Sequence, residues 1–153
     1  MAALTQVWAY PARVTRHEAG DWVATFDDVP EALTGGATRS EALALARDAL
    51  EETLLAYLAR GRDIPVPRPA GEGEDLVVLG VVTAARAALA RTMKSLGISN
   101  SALGREIHKS EGAIRRLVDG TTGVKIDTVL EALDGTASFV DAEVHRPTLA
   151  FVG

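Results

Sequence analysis

Polar and apolar positions follow two different periods along the chain. In residues 6–15, Trp8, Tyr10, Ala12 and Val14 recur on every second position, and in residues 21–26 Trp22, Ala24 and Phe26 do the same. Period two is that of a strand with one buried face. The intervening Arg16-His17-Glu18-Ala19-Gly20 is polar and ends in Gly, which predicts a β-hairpin with a five-residue connection. Pro30 has no N–H for a ladder, so the hairpin ends near Asp27-Asp28-Val29-Pro30-Glu31. Residues 32–35 are expected as a short third strand.

The period then changes. Thr38-Arg39-Ser40-Glu41 has the spacing of a capping box. Behind it Ala42, Leu45, Ala46, Ala49, Leu50, Thr53, Leu54, Tyr57 and Leu58 recur at helical spacing, and Gly61 follows. This predicts an amphipathic helix over about 39–60, with Arg39, Arg47, Asp48, Glu51 and Glu52 on its outer face. Pro65, Pro67 and Pro69 alternate in the next segment, which is expected to be extended and to run into a flexible Gly-Glu stretch. The run Leu76-Val77-Val78-Leu79 favours a strand returning to the N-terminal sheet. From Val82 onward the pattern is helical, with helices expected at about 82–96, 100–107, 111–118 and 125–134, and a loose alternation over 137–144 suggesting a last strand. The fold class is therefore α+β. A small sheet with one long helix occupies residues 1–75, and an all-helical half occupies 76–153.

Composition narrows the picture. The chain has 153 residues, 47% hydrophobic and 24% charged, which argues for a globular protein. With aromatics at 5%, its core is built mainly from Ala, Val and Leu. No cysteine is present, which excludes disulfides, a thiol nucleophile and Cys-based zinc sites. The longest apolar run, 76–82, has seven residues, far short of the ~20 of a membrane-spanning helix. No basic stretch leads into an apolar one near the N-terminus, so a cytoplasmic protein is the expectation. The net charge of −5 is uneven: residues 1–75 carry −6, and residues 83–118 carry seven basic residues against two acidic ones. The two halves are thus expected to meet different partners.

The segment GISNSALGREIHKSEGAIRRLVDG, residues 97–120, holds the candidate chemistry. Two short helices, capped by Ser99 and Ser110, flank a tight turn at His108-Lys109. Ile98, Leu103 and Ile107 face inward from the first helix; Ala113, Ile114 and Leu117 do so from the second. This is the spacing of a helix-turn-helix. Glu111, Gly112, Arg115 and Arg116 then lie on the outward arc of the second helix, where such positions reach base edges in the major groove. Arg115 and Arg116 are the leading readers, able to bridge guanine O6 and N7. Arg105, Lys109 and the capping serines lie nearer phosphates, which contribute affinity more than sequence choice.

The pattern resembles the lambda-repressor-like helix-turn-helix, with Gly104 where that family usually has Ala and His108 where it usually has Gly. The N-terminal half has a second resemblance. Tyr10-Pro11-Ala12, the run from Trp22 through Pro30, Thr34-Gly35-Gly36-Ala37-Thr38, Ser40-Glu41-Ala42-Leu43, the Gly61 stop and Ile64-Pro65-Val66-Pro67 occur in the order found in HicB antitoxins of type II toxin–antitoxin systems. One departure is Glu31, which stands where the family has a Gly after its Pro. The resemblance implies a degraded, RNase H-like N-terminal domain that binds a HicA-type toxin, an RNA-cleaving enzyme. It also implies a C-terminal domain that binds operator DNA and represses the operon.

An acidic domain suits a basic toxin surface. The candidate toxin-binding residues are Asp21, Trp22, Asp27, Asp28, Glu31, Asp48, Glu51 and Glu52. A homo-oligomer, a dimer or a dimer of dimers, is expected for operator binding, through strand 137–144 or the helix near 125–134. No cofactor, metal or catalytic residue is expected. Asp27 and Asp28 are adjacent and would point opposite ways in an extended chain, so they do not form the carboxylate cluster of an active nuclease. A stand-alone transcriptional regulator without a toxin is the alternative.

Overall fold

The computed structural model describes residues 8–141. Within this span the chain forms two compact units, one of residues 8–57 and 64–80, the other of residues 58–63 and 81–141. The architecture is α+β, with a four-stranded antiparallel sheet followed by helices.

In the first unit, strands β1 (Ala9–Arg16), β2 (Trp22–Thr25), β3 (Leu33–Gly36) and β4 (Asp75–Val78) are arranged in the order β3-β2-β1-β4. The predicted hairpin is β1–β2, in register from Arg13 opposite Thr25 to Arg16 opposite Trp22. Its loop closes with the His17 amide donating to the Asp21 carbonyl at 2.7 Å, and Gly20 turns it at φ 102°. The two halves of β1 pair with different partners: residues 9–12 face β4 and residues 13–16 face β2. Pro11 explains the division. The Leu79 amide donates to the Trp8 carbonyl at 2.9 Å, so odd positions of β1 turn their backbone groups away from β4. The donorless nitrogen of Pro11 thus faces the side where the β2 ladder has already stopped.

Helix α1 (Arg39–Ala59) starts at the predicted cap, with the Glu41 carboxylate reaching one residue further back than the N-cap amide of a capping box. The Glu41 amide donates to Thr38 Oγ1 at 3.1 Å, and the Glu41 carboxylate accepts from the Ala37 amide at 2.8 Å. Ala42, Ala46, Leu50, Leu54 and Tyr57 are its buried stripe, and Tyr10, Ala12, Ala24 and Phe26 are the buried face of the sheet. The proline segment is extended and anchored, since Tyr10 donates its hydroxyl proton to the Pro65 carbonyl at 2.6 Å. β4 then returns to the sheet beside β1, so the first unit runs to Gly80, past the expected boundary at 75–76. The Leu-Val-Val-Leu run carries that extension because Val77 and Leu79 bury their side chains.

The second unit contains α2 (Val81–Leu96), α3 (Asn100–Glu106), α4 (Glu111–Val118) and α5 (Ile126–Asp141). Leu89, Leu103, Ile114, Val129, Ala132 and Leu133 are fully enclosed at its centre. The strand expected over 137–144 is contradicted as far as residue 141, where the backbone is still helical; residues 142–144 lie outside the described residues. The helix runs on through this stretch from Thr136, whose buried side-chain hydroxyl donates back to the Leu133 carbonyl at 2.6 Å instead of ending the helix.

Candidate functional sites

The segment 97–120 folds as its spacing predicts. Ser99 caps α3 by accepting from the Ala102 amide at 3.0 Å, and Ser110 caps α4 by accepting from the Ala113 amide at 3.1 Å. Both serines remain exposed. The cap does not use the Ser110 hydroxyl hydrogen, and the Ser99 hydroxyl also shares a hydrogen bond with the Ser101 hydroxyl at 3.3 Å. The turn between the helices is tight. His108 sits at φ 58°, the only described non-glycine residue in the left-handed region. The Lys109 amide returns to the Gly104 carbonyl at 2.8 Å. A Cβ on Gly104 would stand 2.5 Å from the Lys109 carbonyl oxygen, so the turn closes against a position with no side chain. Gly135 does the same for α5, where a Cβ would meet Ile107 Cγ2 at 2.4 Å.

The burial of Ile114 and Leu117 fixes which side of α4 faces out. Glu111, Arg115 and Arg116 are exposed on that side, and Gly112 and Ala113 are half-buried. A Cβ on Gly112 would lie 3.7 Å from an Arg115 guanidinium nitrogen and 3.8 Å from one of Arg116, so both arginine heads bend over the start of the helix. Arg105 is exposed as well. Lys109 is half-buried and forms an ion pair with Glu131 at 3.4 Å. Not every base counted in the sequence is on the surface. Arg86 is 2% exposed, and Lys94 pairs with Asp63.

The acidic candidates of the first unit divide into committed and free groups. Arg68, from the proline segment, makes a two-pronged bond to Glu74, 2.8 Å at each prong. It also reaches Asp27 at 3.3 Å and Asp28 at 3.5 Å. Arg13 pairs with Asp27 at 3.2 Å. Hydrogen bonding from Arg68, then from the Gly71 amide, pushes the Glu74 carboxyl down to about 2. Glu51 accepts from the Gly80 amide at 2.5 Å and from Arg47 at 3.2 Å. Glu31 accepts from the Tyr57 hydroxyl. Trp22 is half-buried in β2. Asp21 at the hairpin end and Asp48 and Glu52 on α1 are exposed. The last two are one helical turn apart, on one face. The structure therefore does not assemble the seven acidic toxin-binding candidates into one patch of free carboxylates. Asp27, Asp28 and Glu51 are held by arginines of the same unit.

Sequence reasoning passed over Arg68, Glu74 and Arg86. The first two lie in a segment read only as extended and flexible; the third was counted as one more surface cation. Among the described residues no three His, Asp or Glu side chains are grouped to hold a metal ion, and no helix is long and apolar enough to cross a membrane.

The described residues thus form two units, a small α+β unit and a unit of four helices that carries a capped helix–turn–helix. The comparisons identify the family. The model of the HicB-like antitoxin of bacterial toxin–antitoxin systems matches residues 9–88, and this chain belongs to that family. Antitoxin HicB 2 of Photorhabdus laumondii is 38% identical over 132 residues, covering 86% of this chain and 93% of the relative. Antitoxin HicB of Escherichia coli K12 is 32% identical, covering 78% of this chain and 87% of the relative. Antitoxin HicB of Pseudomonas fluorescens Pf0-1 is 33% identical, covering 83% and 87%. The family implies a toxin partner and a regulatory rather than enzymatic role.

Proposed function

We propose that the protein neutralises a HicA-type, RNA-cleaving toxin with its first unit and represses its own operon with its second. The observation that carries the second half is α4. It buries Ile114 and Leu117, exposes Arg115 and Arg116, and is capped at its start by Ser110. Such a helix presents guanidinium groups to a DNA groove from a fixed backbone. Arg115 and Arg116 read bases; Arg105, Lys109, Ser99 and Ser110 meet phosphates; Glu111 and Gly112 set what the helix start accepts.

Toxin binding falls to the first unit, a partial RNase H-like domain. Its exposed carboxylates Asp21, Asp48 and Glu52 attract a basic RNA-binding surface and speed association. The ion-paired Asp27 and Asp28 and the half-buried Trp22 border that surface. Operator half-sites call for a homo-oligomer, a dimer or a dimer of dimers. Because residues 137–141 are helical, the pairing surface is α5 rather than a strand, with Leu130, 39% exposed, on it. The protein acts without catalysis, in the cytoplasm where mRNA and operon are found.

Co-expression with the product of the adjacent small gene tests the first half. Growth should be restored, and the two proteins should be purified together. Binding of the pure chain to the duplex upstream of its own gene, against a scrambled duplex at the same salt, tests the second half. No preference between the duplexes would refute it.

A further inference from the structure

Arg86 lies in the middle of α2, and its side chain is enclosed. Its Nε donates to the Leu117 carbonyl at 2.8 Å, and a terminal nitrogen donates to the Arg116 carbonyl at 3.3 Å. These are two of the last four carbonyls of α4, the ones a helix leaves without intrahelical partners. The guanidinium also places positive charge at the negative end of the helix dipole. Asp119, the residue that ends α4, lies near enough to act on this charge. Asp119 accepts from the Thr121 amide at 2.9 Å and from its hydroxyl at 2.6 Å.

We infer that Arg86 is a positioning residue for DNA reading, holding the last turn of α4 so that the Arg115 and Arg116 side chains leave a fixed backbone. An eight-residue helix is unstable alone in water, so its geometry must come from its surroundings. Ile114 and Leu117 supply apolar contacts, which tolerate sliding. The forked donor does not tolerate it, because its two bonds fix both the rotation and the height of the last turn. One of those bonds ends on the backbone of Arg116 itself. Burying a guanidinium is costly, and an apolar side chain would fill the same volume at lower cost. The expense is consistent with a positional demand. This inference rests on the proposal that α4 enters DNA.

The test uses the full chain, with Arg86→Met removing the donors and Arg86→Lys keeping the charge without the fork. Melting by circular dichroism establishes folding, and binding to the upstream duplex and to a scrambled duplex is measured over a salt series. In Arg86→Met the preference for the upstream duplex should fall about tenfold, the scale of one hydrogen bond to a charged group. Affinity for the scrambled duplex and the salt slope should stay unchanged, and Arg86→Lys should recover part of the preference. Three results overturn the inference. A folded Arg86→Met variant with wild-type preference shows that the fork is idle. A salt slope lowered by about one marks a direct phosphate contact instead. Loss of cooperative melting in both variants makes Arg86 a folding residue only. Wild-type protein that does not distinguish the duplexes is a separate failure, that of the DNA-binding proposal itself.

Discussion

Adding one methyl group at position 104 tests whether the turn before α4 is as tight as its geometry indicates. Gly→Ala inside an exposed helix ordinarily stabilises by about 1 kcal/mol. Here the new Cβ would stand 2.5 Å from the Lys109 carbonyl oxygen, and the nearest Ser110 atom is at 3.4 Å. The first distance is about 1 Å inside the separation at which nonbonded atoms attract. The obstacle is backbone, so no rotamer change relieves it. Forced overpacking costs roughly 1–3 kcal/mol. Displacing Lys109 also weakens its amide's 2.8 Å bond to the Gly104 carbonyl, about 1 kcal/mol more. With the propensity gain subtracted, Gly104→Ala should destabilise the second unit by about 2 kcal/mol, roughly 8–16 °C in midpoint for a unit of this size. Far-UV circular dichroism follows it, because four of the five described helices belong to that unit. Trp8 and Trp22, the two tryptophans, both lie in the first unit, so their fluorescence gives an internal reference. A far-UV midpoint equal to or above wild type would refute the argument.

Four further outcomes are expected. His108→Gly should raise the far-UV midpoint by a few degrees, because a side chain at φ 58° costs about 1 kcal/mol that Gly avoids, less the entropy Gly adds to the unfolded chain. Arg116→Ala should weaken binding to the upstream duplex by ~1–3 kcal/mol and relax sequence choice, read by competition with single-base variants of the site. Reversing both exposed acids, Asp48→Lys with Glu52→Lys, should slow association with the co-expressed toxin in a salt-dependent way while leaving the melt unchanged; surface plasmon resonance at two salt concentrations checks it. Glu74 has its folded-state pKa lowered to about 2 from 4.5, so its bond to Arg68 contributes stability in full above pH 4.5 and loses that contribution as pH falls through about 2. Wild type should therefore out-melt Glu74→Gln at pH 6, by tryptophan fluorescence, with the gap closing toward pH 2.

Local rules made most of the fold legible. The hairpin, the long helix and the two serine-capped helices each depend on neighbours within a few residues, and period or capping chemistry encodes them. Gly104 and His108 were visible as departures, but their cause was not. Only the 2.5 Å approach of the Lys109 carbonyl shows why position 104 takes Gly. The extent of α5 was misjudged, since alternation over a few residues does not separate strand from helix when small and polar residues dominate. The sites were less legible than the fold because charge in a sequence carries no partner. Asp27 and Asp28 meet Arg68 across some forty residues, and no spacing rule reaches that far.

Those pairings change how the charge asymmetry is to be used. The first half carries −6 with its arginines already counted, and the ion pairs leave that net charge in place while fixing where it lies: Arg68 and Arg13 hold Asp27, Asp28 and Glu74, Arg39 holds Asp75, and Arg47 holds Glu51. The exposed carboxylates outside those pairs include Glu18, Asp21, Asp48, Glu52 and Glu72. The basic stretch 83–118 is committed in part as well, because Arg86 is enclosed, Lys94 faces Asp63 and Lys109 faces Glu131. What remains outward on the helix–turn–helix is Arg105, Arg115 and Arg116. On the proposed reading of α4, operator affinity comes from base contacts of Arg115 and Arg116, from phosphate contacts of Arg105, Lys109 and the two capping serines, and from a second copy of the chain. If α5 is the pairing surface proposed above, Leu130→Lys should give a monomer by analytical ultracentrifugation and lose operator binding almost completely, with the far-UV melt unchanged; a variant that stays oligomeric would refute the α5 assignment.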